Sequence, residues 1–158
     1  MCIRDSVIHL MRGQVFTLEG RTLFTMGGAS SHDVEDGILD PAAPDYYERL
    51  LRLLGEGRRQ YRIVGQSWWP EELPSEEEYA EARRNLDAHS WAVDYIITHS
   101  PPSSIAENLD RPQDALTDFL EEVRQKARYR RWLFGHCHRD QEIDKRHLLL
   151  WEKIVRIV

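Results

Sequence analysis

The order of hydrophobic runs predicts two buried strands joined through a helix in the second half of the chain. The run AVDYIITH is rich in β-branched residues and predicts a strand over 93–98, and YRRWLFGH predicts another over 130–135. Apolar positions from Leu116 to Val123 fall on one face of a helix over 113–126. Strands connected in this way lie parallel in one sheet, so the expected fold class is α/β.

Shorter patterns predict the remaining elements. GQVFTLEGRTLFTMGG predicts a hairpin with Glu19–Gly20 at its turn, preceded by a strand in VIHLMR that has no visible upstream partner. Ser75, followed by Glu78, forms a capping box that opens a helix to about Leu86. The chain further predicts a helix over 46–54, a long loop over 27–45, and a terminal hairpin made from QEIDK and HLLLWEKIVRIV.

Composition limits the class of protein. A length of 158 residues is that of one domain, and 41% apolar with 30% charged residues is typical of a soluble globular chain. The longest apolar runs are far shorter than a membrane span, so no membrane partner is expected. The net charge of −6 argues against nucleic acid, and the basic run RQKARYRR (124–131) is interpreted as a solvated helix end rather than as a nucleic-acid footprint.

Cysteine usage and the first residues indicate a compartment. Cys2 and Cys137 cannot make a disulfide framework, and neither lies in a Cys-x-x-Cys pair. The opening MCIRDSVIHLMRG has charged residues where a secretory signal needs an apolar core. The expected location is therefore the cytoplasm.

Histidines follow both predicted strands and are the strongest candidates for chemistry. His99 follows the strand over 93–98, and His136 and His138 follow the strand over 130–135. Because the carboxyl ends of parallel strands meet at one edge of a sheet, these histidines are expected to converge. On an extended backbone His136 and His138 share a face and Cys137 points the other way, which weakens a redox role for Cys137. Three converging imidazoles predict a metal site.

The other polar candidates carry weaker signals. Asp33 and His32 lie in the Gly-rich loop and either approach a metal or a substrate phosphate or make local turn hydrogen bonds, so their role stays open. His9 and His147 are interpreted as packing or surface residues. His89 lies near a helix end, where a histidine interacts favourably with the helix dipole.

Two motifs resemble a known family. YIITHSPPSS contains Thr-His-x-Pro-Pro, WLFGHCH contains Gly-His-x-His, and both follow the loop MGGASSHD in the order found in calcineurin-like metallophosphoesterases. The resemblance covers about residues 7–158 and implies a four-layer α-β-β-α sandwich with a two-metal site. It implies that His99 and His136 bind one divalent ion and His138 the other, the metals being Mn, Fe or Zn. The implied substrate is a phosphate-ester small molecule or a phosphoprotein.

The sequence departs from the family at its earlier motifs. Asp-x-His, Gly-Asp-x-x-Asp and Gly-Asn-His-Asp/Glu do not occur, so no catalytic residue is assigned. The chain is therefore expected to be the C-terminal half of a phosphoesterase domain over 7–158, with 1–6 as a non-native leader. Such a piece is expected to be inactive and poorly soluble, with an open edge beside residues 7–18 and uncovered faces behind Phe16, Phe24 and Trp132. The alternative is a non-enzymatic, metal-stabilised binding module.

Overall fold

The protein has a mixed α/β fold. The computed structural model describes residues 2–4, 7–31 and 33–157. Within these residues the chain divides into two compact units, one formed by the chain up to Ala29 together with the chain from Pro74 onward, the other by Ser30–Leu73. The predicted single domain over 7–158 thus contains a smaller unit inserted after its first hairpin.

The larger unit is built on a six-stranded mixed sheet. The strands of the described residues are β1 (Cys2–Arg4), β2 (Val7–His9), β3 (Gln14–Leu18), β4 (Arg21–Met26), β5 (Gly37–Leu39), β6 (Tyr61–Ile63), β7 (Tyr95–Thr98), β8 (Arg131–Phe134), β9 (Gln141–Glu142) and β10 (His147–Leu149). The order in the sheet is β3-β4-β7-β8-β10-β9. The β4, β7, β8 and β10 strands run parallel, while β3 and β9 are antiparallel to their neighbours at the two edges.

The described residues form four α-helices, each with local sequence support. The capping box of Ser75 and Glu78 is present as predicted, and Asp114 with Thr117 forms a second one. The helix predicted over 113–126 is confirmed, and a short helix before it was not predicted because six residues carry little periodicity. The helices are α1 (Tyr46–Gly55), α2 (Glu76–Ala88), α3 (Ser103–Asn108) and α4 (Ala115–Lys126).

The predicted crossover is confirmed and sets the position of the histidines. The strands expected over 93–98 and 130–135 are β7 and β8, which pair in parallel with Tyr95 opposite Arg131 and Ile97 opposite Leu133. The core around them includes nine side chains with no exposed surface. These side chains are Phe24, Met26, Leu86, Ile96, Leu116, Leu120, Val123, Trp132 and Leu149.

Several expectations from the sequence are wrong. The strand in VIHLMR does have a partner, because β2 pairs antiparallel with β1, a three-residue strand too short to signal itself. The faces behind Phe24 and Trp132 are covered, since both side chains are completely buried, while Phe16 is half-buried. The hairpin prediction at 13–28 is confirmed, and β3 is an edge strand of the six-stranded sheet, as expected.

The terminal hairpin is shorter than predicted. Its two strands, β9 and β10, pair antiparallel, but the strand expected to continue over 147–158 ends at Leu149. The reason is Asp140, whose carboxylate accepts hydrogen bonds from the backbone N–H groups of Trp151, Glu152 and Lys153. These donors are therefore not available for a strand ladder.

The smaller unit, Ser30–Leu73, contains most of the loop predicted over 27–45 and the chain that follows it. Its strands β5 and β6 pair in parallel, and α1 packs against β5 through a side with Leu53 buried. Asp36 joins its two strands by accepting hydrogen bonds from the side chain of Arg58 and the backbone of Gln60. Strands of three residues leave little hydrophobic pattern in the sequence. The sequence therefore predicts a loop where the structure has the start of a small folded unit.

None of the helices in the described part of the chain has the length and apolar character that crossing a membrane requires.

Candidate functional site

Two of the three predicted histidines meet at the carboxyl edge of the sheet. His99 follows β7 and His136 follows β8, and the His136 Nδ1 atom lies 3.3 Å from the His99 Nε2 atom. Their ring centroids are 5.2 Å apart with an interplanar angle of 76°. The parallel pairing of β7 and β8 places both residues at this edge, as expected from the sequence.

The backbone around the second histidine motif is turned rather than extended. His136 has φ = 71° and His138 has φ = 49°, so both occupy the left-handed region, which costs roughly 1–2 kcal/mol for a non-glycine residue. The expectation that the two side chains share one face of an extended strand is therefore wrong, because β8 ends at Phe134. Cys137 is a buried free cysteine, which agrees with the weak case for a redox role.

His138 has a different neighbour from the other two histidines. The centroid of its ring lies 4.2 Å from that of the Trp151 ring, and the angle between the ring planes is 33°. Asp140 holds Trp151 in place through the 2.8 Å hydrogen bond that its carboxylate accepts from the Trp151 backbone N–H. The three backbone donors lower the pKa of Asp140, with the Trp151 N–H as the largest cause. His138 therefore belongs to the same edge, but it is packed on an aromatic ring.

Hydrogen bonds connect the loops that carry the histidines, and the two made by Thr98 are buried. The Trp132 indole donates to the Thr98 hydroxyl at 2.9 Å, and this hydroxyl donates to the Ser100 carbonyl at 2.7 Å. The Ser100 hydroxyl in turn donates to the Gly28 carbonyl at 2.9 Å, which ties in the loop after β4. The Gly135 N–H donates to the His99 carbonyl at 3.0 Å. This network keeps the backbone before and after His99 in one position.

Electrostatics favour a neutral His99. Its ring lies at the exposed rim, but the protein atoms on its inner side partly desolvate it, and this desolvation is the main cause of its lowered pKa. The nearby His138 lowers the pKa of His99 further through charge repulsion. Since neutral imidazole is the form that binds a metal, His99 is a suitable ligand near neutral pH.

The geometry of the pair is compatible with one metal ion. Two nitrogen ligands at about 2.0–2.1 Å from a tetrahedral metal lie roughly 3.3 Å apart, which is the separation of the His99 and His136 nitrogens. Across the described residues, however, no three His, Cys, Asp or Glu side chains are arranged to hold a metal. The two imidazole nitrogens therefore fit as part of a single-ion site.

The remaining predicted candidates lie elsewhere. Asp33 forms an ion pair with Arg62 in the smaller unit, and His32 lies outside the described residues. His147 is buried, as expected for a packing residue, with its Nδ1 atom 2.8 Å from Asp144 and its Nε2 atom 2.9 Å from the Tyr129 hydroxyl. His89 is exposed and lies near the end of α2, as predicted.

Asp140, Trp151 and Thr98 are site residues that sequence reasoning missed. Asp140 follows the Gly-His-x-His motif by two residues, and a short polar residue at such a turn was the available signal. The contact between Trp151 and His138 had no signal in the sequence, because it depends on how the tail folds back.

Comparisons with known proteins leave the family open. No protein-family model matches the chain, and neither the curated proteins nor the solved structures include one that is significantly similar to it. The fold and the site thus define a mixed α/β protein with an imidazole pair at the carboxyl edge of its parallel strands.

Proposed function

We propose that the chain is part of a metal-dependent phosphoesterase of the calcineurin-like type. The observation that carries the proposal is the His99–His136 pair, with ring nitrogens 3.3 Å apart at the carboxyl edge of two parallel strands. Open α/β sheets bind their ligands at this edge. The Thr-His-x-Pro-Pro and Gly-His-x-His motifs supply the resemblance.

Within this proposal, His99 and His136 would hold one divalent ion, and His138 would contribute to the same region of the site. The chemistry supplied there by a bound ion would be neutralisation of the negative charge on a phosphate ester and activation of water. The lowered pKa of His99 keeps its ring neutral and able to donate a lone pair. Trp132, Thr98 and Ser100 position the His99 loop, since their hydrogen bonds are buried.

The two-metal form of this chemistry needs more ligands. Bridging a pair of Mn, Fe or Zn ions requires carboxylates, and the family motifs that carry them are absent from the sequence. We therefore assign the activity, and the four-layer sandwich, to a protein that combines these motifs with the present chain. Its substrate class is a phosphomonoester or phosphodiester, on a small molecule or a phosphoprotein.

A second candidate is a metal-stabilised binding module without catalysis. The observation that favours it is the His99–His136 pair itself, with nitrogens 3.3 Å apart, because two imidazoles hold an ion without supplying the carboxylates that two-metal hydrolysis needs. An imidazole pair that binds one ion would then stabilise the edge of the sheet instead of activating water.

Metal binding tests the shared basis of both candidates. We expect Co²⁺ or Zn²⁺ to bind the chain with a stoichiometry of about one, and His136→Ala to weaken binding at least tenfold, because it removes one of two nitrogen ligands. Isothermal titration calorimetry measures the affinity, and the visible absorption of bound Co²⁺ reports the coordination number.

The matched control is His89→Ala, which removes an exposed histidine at the end of α2, outside both motifs. Metal affinity should remain unchanged in this variant. Equal affinity of the His136→Ala variant and the unmodified chain would show that the imidazole pair is not the metal site.

A further inference from the structure

A basic cleft lies at the opposite edge of the sheet from the histidines. It has a volume of about 370 Å³ and is lined by Tyr95, Arg130, Arg131, Arg156 and Ile157. Tyr95 is the first residue of β7 and Arg131 the first of β8, and the two are paired in register. The cleft is therefore at the amino edge of the same parallel strands.

The charges that line the cleft are all positive. Three of its five lining residues are arginines and none is acidic, although the chain has a net charge of −6. Arg130 is oriented by Asp94, whose carboxylate lies 3.0 Å from the Arg130 Nε atom. Within the described residues, Arg130 forms no ion pair with an acidic residue other than Asp94. Arg131 and Arg156 are exposed and form no ion pair within the described ranges.

Tyr95 adds an independent observation. Its side chain is 6% exposed, and the residue lines the cleft together with the arginines. A mostly buried tyrosine that lines a cationic cleft adds a hydroxyl group, which can donate a hydrogen bond to an anion.

From these contacts we infer that the cleft binds a small molecule carrying two or more phosphate groups. Guanidinium groups bind phosphate oxygens in pairs of charge-assisted hydrogen bonds, and three of them offset the charge of a diphosphate. The volume lies within the range of small-ligand sites. A nucleic-acid strand is a poorer fit, because the rest of the acidic surface repels a long phosphate backbone.

This site is separate from the proposed metal site and does not depend on it. The histidines follow the carboxyl ends of β7 and β8, whereas the cleft is formed where these strands begin. Binding should therefore persist in excess EDTA and in the His136→Ala variant.

The test uses inorganic pyrophosphate as the probe and the 158-residue chain in excess EDTA. Calorimetry should show saturable binding to one site, which weakens as salt increases. The Arg131→Gln and Arg156→Gln variants should each lose about tenfold in affinity, which corresponds to about 1.4 kcal/mol. The Tyr95→Phe variant should lose a few-fold in affinity while its circular dichroism spectrum is unchanged.

The matched control is Arg84→Gln, an exposed arginine on α2 that is not part of the cleft. This variant should bind pyrophosphate like the unmodified chain, and Arg131→Lys should recover part of the lost affinity through charge alone. Absence of saturable binding, an equal loss in Arg84→Gln, or loss of binding in His136→Ala would overturn the proposal. So would an oligonucleotide that binds the chain without being displaced by pyrophosphate.

Discussion

Tyr79 on α2 carries a buried hydroxyl group with no hydrogen-bond partner in the described part of the chain. The side chain is 5% exposed, and its ring packs against that of Phe119 with centroids 5.1 Å apart. Burial raises the pKa of Tyr79 to about 12, with the nearby carboxylates of Asp114 and Glu76 as further causes. The hydroxyl is therefore protonated at neutral pH and contributes a desolvation cost without a compensating hydrogen bond.

Replacing Tyr79 by phenylalanine should stabilise the protein. The ring contacts remain while the unpaired hydroxyl is removed, so we expect the free energy of unfolding to rise by about 1 kcal/mol. Urea denaturation of both proteins measures this change. The control is Tyr47→Phe, at a tyrosine that is 74% exposed, where no change is expected. A loss of stability in the Tyr79→Phe variant would show that the hydroxyl has a partner.

Glu78 should make stability depend on pH. Its carboxylate accepts hydrogen bonds of 2.7 and 2.6 Å from Arg12, and one of 2.8 Å from the Ser75 backbone N–H. Arg12 is the largest cause of the lowered pKa of Glu78. A carboxyl group whose pKa falls on folding stabilises the protein at pH values above its unfolded pKa of 4.5. This stabilisation is lost as the pH falls through the folded pKa.

The Glu78→Gln variant should therefore be less stable at pH 7 by at most about 1 kcal/mol, because the ion pair is partly exposed. The difference from the unmodified protein should shrink below pH 4. Thermal unfolding followed across this pH range measures it. Glu77→Gln changes an exposed neighbouring carboxylate and should have little effect. A constant difference at all pH values would contradict the assignment.

Among the elements, α4 contributes most clearly to the core. Leu116, Phe119, Leu120 and Val123 repeat at helical spacing, and all four are buried. The Leu120→Ala variant should lose about 2–5 kcal/mol, because it leaves a cavity under a closely packed helix. Leu18→Ala, at a residue that is 47% exposed on the edge strand β3, should lose much less. Equal losses measured by urea denaturation would show that α4 is not tightly packed.

At the scale of the whole molecule, the proposed two-metal catalysis needs carboxylate ligands in addition to the imidazole pair. The imidazole pair fits one ion, and no third His, Cys, Asp or Glu is arranged with it in that part of the chain. We expect the 158-residue chain to hydrolyse bis(p-nitrophenyl) phosphate at or near the uncatalysed rate in excess Mn²⁺. Metal-dependent turnover that is lost in His136→Ala would instead show that the chain completes a catalytic site by itself.

Much of the fold could be predicted from local pattern. The β7 and β8 strands, the α4 helix, the hairpin at Glu19–Gly20 and the Ser75 capping box all follow from signals within a few residues. Short elements were missed. The β5 and β6 strands span three residues each, and a run of that length carries no readable period.

The convergence of His99 and His136 was determined by the sequence, because the strand–helix–strand order forces β7 and β8 to be parallel and to end at one edge. Only the tertiary structure decided the surroundings of the third histidine. The left-handed turn at His136 and His138 and the return of the tail, held by Asp140, place the His138 ring on Trp151. The basic cleft likewise unites Tyr95, Arg131 and Arg156, which are distant in sequence. Contacts of this kind depend on chain folding over long separations, and hydrophobic periodicity reports only on neighbours within a turn or a strand.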